Sequence, residues 1–300
     1  MVKTRALGLD RSEKLYGAFC HLFILIFTIL CVYPFYYIII YSISDPSMAK
    51  TGVYLWPKGL SFETYKQLLS RDDFGQALLV SASRTVIGTT ITILCTSVYA
   101  FLMTRKEMIG RKLVYRFTVI TMYLSAGLIP WYLIMKAYHL NNSFLLYVLP
   151  GAINAYYLIL IKTYIEQIPE ALEEAAVLEG AGFFQILFRV ILPISKPILA
   201  TCIVYCSVAQ WNSWQDNFFL VRDANLQTLQ LILRNYLSSA DKVAQSIKSG
   251  GAVVDQASSM ITPQSIQMVA IVVVTIPIML VYPFAQKYFT KGIMMGAVKG

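Results

Sequence analysis

Residues 162–196 read KTYIEQIPEALEEAAVLEGAGFFQILFRVILPISK, and this charged stretch lies between two long apolar runs. Pro169 suits the first position of a helix, and the acidic residues after it complement the positive end of the helix dipole. Gly180 and Gly182 supply a turn at the end of that helix, and a second helical stretch covers residues 183–192. The stretch therefore predicts two short helices joined by a tight turn.

The two short helices carry more apolar surface than a single loop can readily bury. Either this surface packs beneath the chain's own apolar runs, or it docks on a partner protein. Small residues around the turn favour the close approach of another protein. The apolar set consists of Ile165, Ile168, Leu172, Ala175, Ala176, Phe183, Phe184, Ile186, Leu187 and Val190.

Apolar runs on both sides of this stretch are long enough to cross a lipid bilayer. Hydrophobic residues make up 57% of the 300 residues and charged residues only 14%, whereas soluble proteins carry about 25% charged residues. A helix needs roughly 20 apolar residues to cross about 30 Å of hydrocarbon. The composition predicts an all-α polytopic membrane protein with six transmembrane helices. The predicted spans are 15–44, 85–104 (with a start near Phe74), 117–135, 137–161, 197–215 and 256–286.

The distribution of Lys and Arg predicts the orientation of these spans. With both termini assigned to the cytoplasm, fifteen of the 25 basic residues fall on the inner side and nine on the outer side, while Arg84 lies inside a span. The net charge of +9 therefore follows the loops, which argues against a nucleic-acid partner. The first run is too long for a secretory signal core, so we expect it to remain as a membrane helix.

The spacing of residues in the 162–196 stretch resembles the EAA loop of ABC importer permeases. One position departs from the family pattern, which usually has Ile where this chain has Val190. The motif is long and its spacing is fixed, and it falls in a loop that the charges already place in the cytoplasm. The matching residues are Glu174, Ala175 and Ala176, then Gly180, and finally Leu192 and Pro193.

The resemblance covers most of the chain and looks like the maltose-type, carbohydrate-uptake branch, specifically its six-span second permease. This implies the type I ABC importer permease fold. Residues 287–294 (KYFTKGIM) are similar to the oligosaccharide group that handles polysaccharide fragments, including acidic ones. The implied segments are an N-terminal tail (1–16), a first helix with an external loop (17–73), a permease core (74–289) with its EAA loop (164–193), and a C-terminal tail (290–300).

The resemblance also implies partners in a bacterial cytoplasmic membrane. These are a second homologous permease that completes a heterodimer, two ABC ATPase subunits, and an extracellular or periplasmic solute-binding protein. The ATPases would bind ATP and Mg, since no Gly-x4-Gly-Lys-Ser/Thr stretch occurs in this sequence. We therefore expect a sugar or oligosaccharide permease that is not an enzyme and holds no cofactor and no metal.

Two groups of residues are expected to contact the ATPases. The resemblance implies that the first short helix is a coupling helix seated in a cleft of the ATPase. It also implies that the extreme C-terminus reaches the ATPase interface, although a disordered tail is an alternative there. The coupling residues are Glu174, Ala175, Ala176, Gly180, Ala181, Leu192 and Pro193, and the C-terminal ones are Gly296, Lys299 and Gly300.

Rings and amides cluster at the outer end of the fifth run, where they suit a sugar face and its hydroxyls. An aromatic belt at the membrane interface is the alternative interpretation. Arg84 has two interpretations as well, because it can meet a carboxylated sugar or, as we favour, snorkel to the outer surface. The candidate substrate path is Trp211, Asn212, Trp214, Asn217 and Arg84.

Other classes of membrane protein fit the sequence less well. An ion-coupled secondary transporter needs membrane-embedded carboxylates, but every Asp and Glu lies in a predicted loop or at the edge of a span. A membrane enzyme needs a nucleophile with its base, or a metal cluster, at a recognisable spacing. An ABC permease for a non-carbohydrate solute is the nearer alternative.

Overall fold

A computed structural model describes residues 11–49, 51–70, 72–248 and 263–296. Within these residues the chain consists of helices and loops, with one isolated antiparallel bridge between Ser44 and Leu60. It divides into two compact units, one formed by residues up to Leu68 with 240–272 and the other by 69–239 with 273–300. The predicted all-α class is confirmed.

The first unit begins with α1 (Arg11–Ser42), followed by α2 (Pro46–Ala49) and α3 (Glu63–Leu69). Leu15–Ser42 is an apolar stretch of 28 residues, which at about 1.5 Å per residue exceeds the thickness of the hydrocarbon core. Its side chains are largely exposed, as expected for a helix surrounded by lipid. The first predicted span is therefore one continuous helix. A small core at its end contains Ile40, Tyr41, Ala49 and Val53.

The second unit is built around one long helix. Its helices, in chain order, are α4 (Asp72–Thr104), α5 (Arg111–Ile120), α6 (Leu128–Ala137), α7 (Ala155–Ile165), α8 (Glu170–Leu178), α9 (Phe183–Gln185), α10 (Leu192–Ile194), α11 (Lys196–Asn212) and α12 (Gln215–Leu220). Both α7 and α11 pack along α4. The core between them includes Phe101, Leu158, Ile161, Leu187 and Cys202. Two more helices, α13 (Leu229–Lys248) and α14 (Pro263–Gly296), contribute residues to both units.

Two of the six predicted spans are not continuous helices. The run 117–135 is interrupted because α5 ends at Ile120 and α6 begins only at Leu128, after Gly127 with a φ of +80°. In the run 137–161, helix α7 starts at Ala155, where the side chain of Asn154 caps the backbone N–H groups of the first turn. Absence of charge indicates an apolar environment, but it does not distinguish a helix from an irregular apolar segment.

The described residues contain two continuous helices that are long and apolar enough to cross a membrane, in α1 and α4. Phe183–Ile194 and Lys196–Asn212 meet at an angle of 82°. They form a third span if this bent pair counts as one helix. Pro193 and Pro197 flank this bend and lack the backbone N–H that a continuing helix needs. The count of six spans stays a prediction.

Candidate functional site

The first short helix of the 162–196 stretch is α8, which begins at Glu170, one residue later than predicted, because Pro169 is its N-cap. Glu170 and Glu173 lie in its first turn, near the positive end of the helix dipole. The helix ends at a turn in which Gly180 has a φ of +82°, a conformation that favours glycine. Its N–H donates to the carbonyl of Val177 at 2.9 Å. The predicted turn is confirmed at this glycine.

Gly182 adopts an ordinary conformation, with a φ of −76°. Its N–H donates to Oε1 of Gln185 at 2.9 Å, which starts the second helical stretch. That stretch comprises α9, a π-helical turn over Ile186–Ile191, and α10. The second predicted helix is therefore present, with a π-helical interior that the sequence pattern did not indicate.

The apolar set of this loop divides into a buried part and an exposed part. Ile186 and Leu187 are buried in the core beside α4 and α7, and the ring of Phe183 lies 4.8 Å from that of Phe101. Other apolar side chains of the loop are exposed. Packing beneath the chain's own helices is thus confirmed for the buried members, while docking of the exposed members on a partner stays a prediction. The large exposed apolar side chains of the loop are Leu172, Val177, Leu178, Phe184 and Phe188.

Two ion pairs connect α8 to the end of α4. Arg105 Nη2 lies 2.5 Å from Glu173 Oε2, with side chains 25% and 20% exposed, and its Cζ lies 4.0 Å from the ring centroid of Phe101. Lys106 Nζ lies 2.7 Å from Glu170 Oε1 in a pair that is about three-quarters exposed. The hydrogen bond and the charge of each partner lower the pKa of the Glu170 carboxyl and raise the pKa of Lys106.

We expect the two ion pairs to differ in how strongly they stabilise α8 against local unfolding. We expect Arg105→Ala to speed amide exchange in α8 about fivefold, since a half-buried pair and a guanidinium–ring contact together contribute on the order of 1 kcal/mol. Lys106→Ala serves as the control and leaves exchange within about twofold, because an exposed pair contributes little. Hydrogen–deuterium exchange measures both variants. Equal exchange in the two would contradict this role of Arg105.

A groove with a volume of about 660 Å³ lies beside these pairs. It is open to solvent, and its walls carry basic groups from the segment after α4 and acidic groups from α8. Exposed apolar residues at the end of α8 complete one wall, including Leu178 at 89% exposure. Such a surface suits contact with another protein. The groove residues that matter here are Arg105, Lys106, Arg111, Glu173, Glu174 and Leu178.

The predicted coupling residues differ in their exposure. Glu174, Ala175 and Gly180 are exposed, while Ala176 and Ala181 are half-buried against the core. Leu192 and Pro193 lie at the bend before α11. Of the C-terminal residues, Gly296 is the last residue of α14, and Lys299 and Gly300 lie outside the described residues.

Arg84 lies inside the second unit and does not snorkel, so the favoured interpretation of this residue is wrong. It is only 3% exposed and forms a two-point ion pair with Asp216, in which Nη1 donates to Oδ1 at 3.0 Å. Its Nε donates to Oε1 of Gln210 at 3.1 Å, and Nη1 also reaches the carbonyl of Ser213 at 3.3 Å. The guanidinium lies 4.6 Å from the ring centroid of Tyr147. Pairing with a buried anion is less costly than exposing the charge to lipid.

Two other members of the predicted substrate path have structural contacts. The indole N–H of Trp211 donates to the carbonyl of Val274 at 3.1 Å, and the ring is buried. Asn217 is completely buried, and its amide donates to the carbonyl of Leu226 at 3.1 Å and accepts from the N–H of Thr228 at 3.3 Å. Both side chains are therefore held by contacts within the fold, and their place in a substrate path stays a prediction.

The remaining two members, Asn212 and Trp214, are accessible. Asn212 is exposed and Trp214 half-buried, and both face residues of α13. Sequence reasoning missed the partner residue Asp216, although it is the acidic residue next to the fifth apolar run. A lone cation inside a predicted span is the signal that calls for such a partner.

Comparison with known proteins finds matches over most of the chain. Residues 88–295 match the family model of the binding-protein-dependent transport system inner membrane component. The chain is 35% identical over 290 residues to the polygalacturonan/rhamnogalacturonan transport system permease protein YtcP of Bacillus subtilis (strain 168), covering 96% of this chain and 100% of that protein. It is also 33% identical over 273 residues to Protein LplC of the same organism, covering 90% of each.

A solved structure shares the fold. The crystal structure of a bacterial ABC transporter involved in the import of the acidic polysaccharide alginate contains a chain that matches with a TM-score of 0.83 and 28% identity. The match covers 93% of this chain and 98% of that one. The chain therefore belongs to the family of binding-protein-dependent transport system inner membrane components, and it has the type I permease fold of ABC importers.

Proposed function

We propose that this chain is one permease subunit of an ATP-driven importer that carries an acidic oligosaccharide, a fragment of a polysaccharide, across the cytoplasmic membrane. The observation that carries this proposal is the similarity over nearly the full chain to a polygalacturonan/rhamnogalacturonan permease. The fold shared with a chain of an alginate importer supports the same substrate class. Both kinds of polysaccharide carry carboxylate groups.

The proposed assembly contains a second homologous permease, two ABC ATPases and a solute-binding protein, with both termini of this chain in the cytoplasm. The exposed surface of α8 supports the ATPase contact, because apolar residues such as Val177 and Leu178 are uncovered there. We place Glu174, Ala175 and Gly180 in this contact. The C-terminal residues 296–300 form the second contact of the proposal.

The contacts of α8 suggest how force from the ATPases reaches the membrane helices. Arg105 and Glu173 connect α8 to the end of α4, and the buried side chains of Ile186 and Leu187 connect the loop to the core. Since α11 follows the loop after a sharp bend, displacement of α8 is expected to tilt α4 and α11 together. The chain itself holds no ATP in this proposal, and the partner ATPases supply the energy.

Reconstitution of the complete importer in proteoliposomes tests this function. With the cognate binding protein outside and ATP inside, we expect uptake of oligogalacturonides that vanadate abolishes. A sample that lacks the ATPases is the control and is expected to show neither uptake nor ATP hydrolysis. Uptake driven by an ion gradient without ATP would favour a secondary transporter. ATP-dependent uptake of a non-carbohydrate solute alone would favour a permease of another specificity.

A further inference from the structure

We propose that Arg234 is a substrate-binding residue that recognises the carboxylate of the transported sugar, with Trp214 as its support. This inference rests on the proposed function, since it names the residue that reads the substrate's charge. Arg234 lies on α13 and is exposed. By the charge distribution, this part of the chain lies on the outer side of the membrane, where substrate arrives.

The geometry around Arg234 orients its guanidinium. Its Cζ lies 3.6 Å from the ring centroid of Trp214 and 5.3 Å from that of Phe218. A separation of 3.6 Å is that of two stacked planar groups, and stacking uses the face of the guanidinium rather than its N–H donors. The edge of the group therefore stays available for a two-point hydrogen bond to a carboxylate.

Amide groups one helical turn away extend this surface. Gln230 precedes Arg234 by four residues, so the two side chains share one face of α13. Nε2 of Gln230 donates to Oδ1 of Asn212 at 2.9 Å. This bond leaves the amide N–H groups of Asn212 and the side-chain carbonyl of Gln230 to donate to and accept from hydroxyl groups. A guanidinium beside such an amide pair matches a sugar that carries both hydroxyls and a carboxylate.

The charge of Arg234 is available, whereas that of Arg84 is not. Among the described residues, no carboxylate forms an ion pair with Arg234, but Asp216 neutralises Arg84. Arg84 is also buried, so a substrate carboxylate would have to displace its partner first. Of these two arginines, Arg234 is therefore the better candidate for recognising an acidic sugar.

The test compares an oligogalacturonide with its methyl ester, in which each carboxylate charge is replaced by a neutral ester group, at saturating loaded binding protein. For each substrate, the uptake rate of a variant is divided by the wild-type rate, which cancels the binding protein's own preference. We expect Arg234→Gln to lower uptake of the acid about tenfold and to change uptake of the ester less than twofold, because a charge-assisted bond is lost only for the acid. Arg234→Lys, which keeps the charge but not the planar fork, is expected to be intermediate.

Arg222→Gln is the control for general attraction of anions, because Arg222 is an exposed cation of the same region. Equal loss of acid uptake in both variants would overturn the proposal, and so would equal loss of acid and ester uptake in Arg234→Gln. If Arg234→Gln loses acid uptake only in liposomes with anionic lipids, Arg234 binds the phosphate of a lipid headgroup and not the substrate. Failure of the wild-type importer to take up either sugar would count against the proposed function and not specifically against Arg234.

Discussion

The purified permease that carries Arg84→Met is expected to unfold at a temperature about 10 °C or more below the wild type. Removing one partner of a buried ion pair costs about 3–5 kcal/mol, since it leaves the other charge uncompensated. Here the remaining partner is the carboxylate of Asp216, whose side chain is 13% exposed. Asp216→Leu is expected to have a similar effect, because it leaves the guanidinium without its anion.

The double variant Arg84→Met/Asp216→Leu separates the ion pair from ordinary packing. With both charges replaced by apolar groups, we expect at least half of the lost stability to return, since apolar replacement of a whole buried pair is often nearly neutral. Full recovery is not expected, because the bonds from Arg84 to Gln210 and Ser213 are also lost. The wild type, the two single variants and the double variant form a double-mutant cycle. Their melting temperatures are measured by size-exclusion chromatography after heating.

Glu166→Gln is the control for this cycle. It removes the partly exposed ion pair in which Nζ of Lys162 lies 2.6 Å from Oε1 of Glu166. Lys162 lies in the last turn of α7, and Glu166 directly follows that helix. Such a pair contributes less than about 1 kcal/mol, so we expect the melting temperature to change by about 2 °C at most. If the single changes at positions 84 and 216 are equally mild, or if their effects simply add, the ion pair does not stabilise the second unit.

This ion pair shows what the sequence could and could not predict about the site. Its cation lies inside a predicted span, and the rule that such charges need a cavity or a partner applied correctly. The partner lies 132 positions away in the chain, and nothing local in the sequence indicates that α12 returns its first turn to this point of α4. Long-range pairing depends on how helices pack against one another. A single sequence considered alone specifies this packing only weakly.

Local signals were more informative. The start of α8 was predicted to within one residue, and the turn at Gly180 was predicted, because helix ends and positive φ angles depend on a few neighbouring residues. The breaks around Gly127 and Asn154 were missed although the same kinds of signal were present there. In a long charge-free run the hydrophobic pattern dominates the interpretation, so glycine and capping residues receive too little weight.

Glu174→Lys and Gly180→Pro are expected to lower ATP-dependent uptake at least about tenfold while the protein still inserts in the membrane. Glu174 is exposed on α8, so reversing its charge changes the proposed ATPase contact rather than the core. Gly180 has a φ of +82°, which proline cannot adopt because its ring fixes φ near about −65°. Proline also removes the N–H that donates to Val177 at 2.9 Å. The turn after α8 then cannot form, and α8 loses its fixed position.

Matched variants distinguish loss of coupling from loss of folding. Gly182→Ala is the control for the glycine, because its φ is −76° and an added Cβ meets no atom within 4 Å. Glu63→Lys makes the same charge change on an exposed residue of α3, which belongs to the first unit and not to the loop. Both controls are expected to keep near wild-type uptake. For the two loop variants, membrane amount, co-purification of the ATPase and uptake are measured together, because a permease that is present but transports nothing is the signature of uncoupling. Unchanged uptake with unchanged ATPase retention in either loop variant would show that α8 is not where force enters this chain.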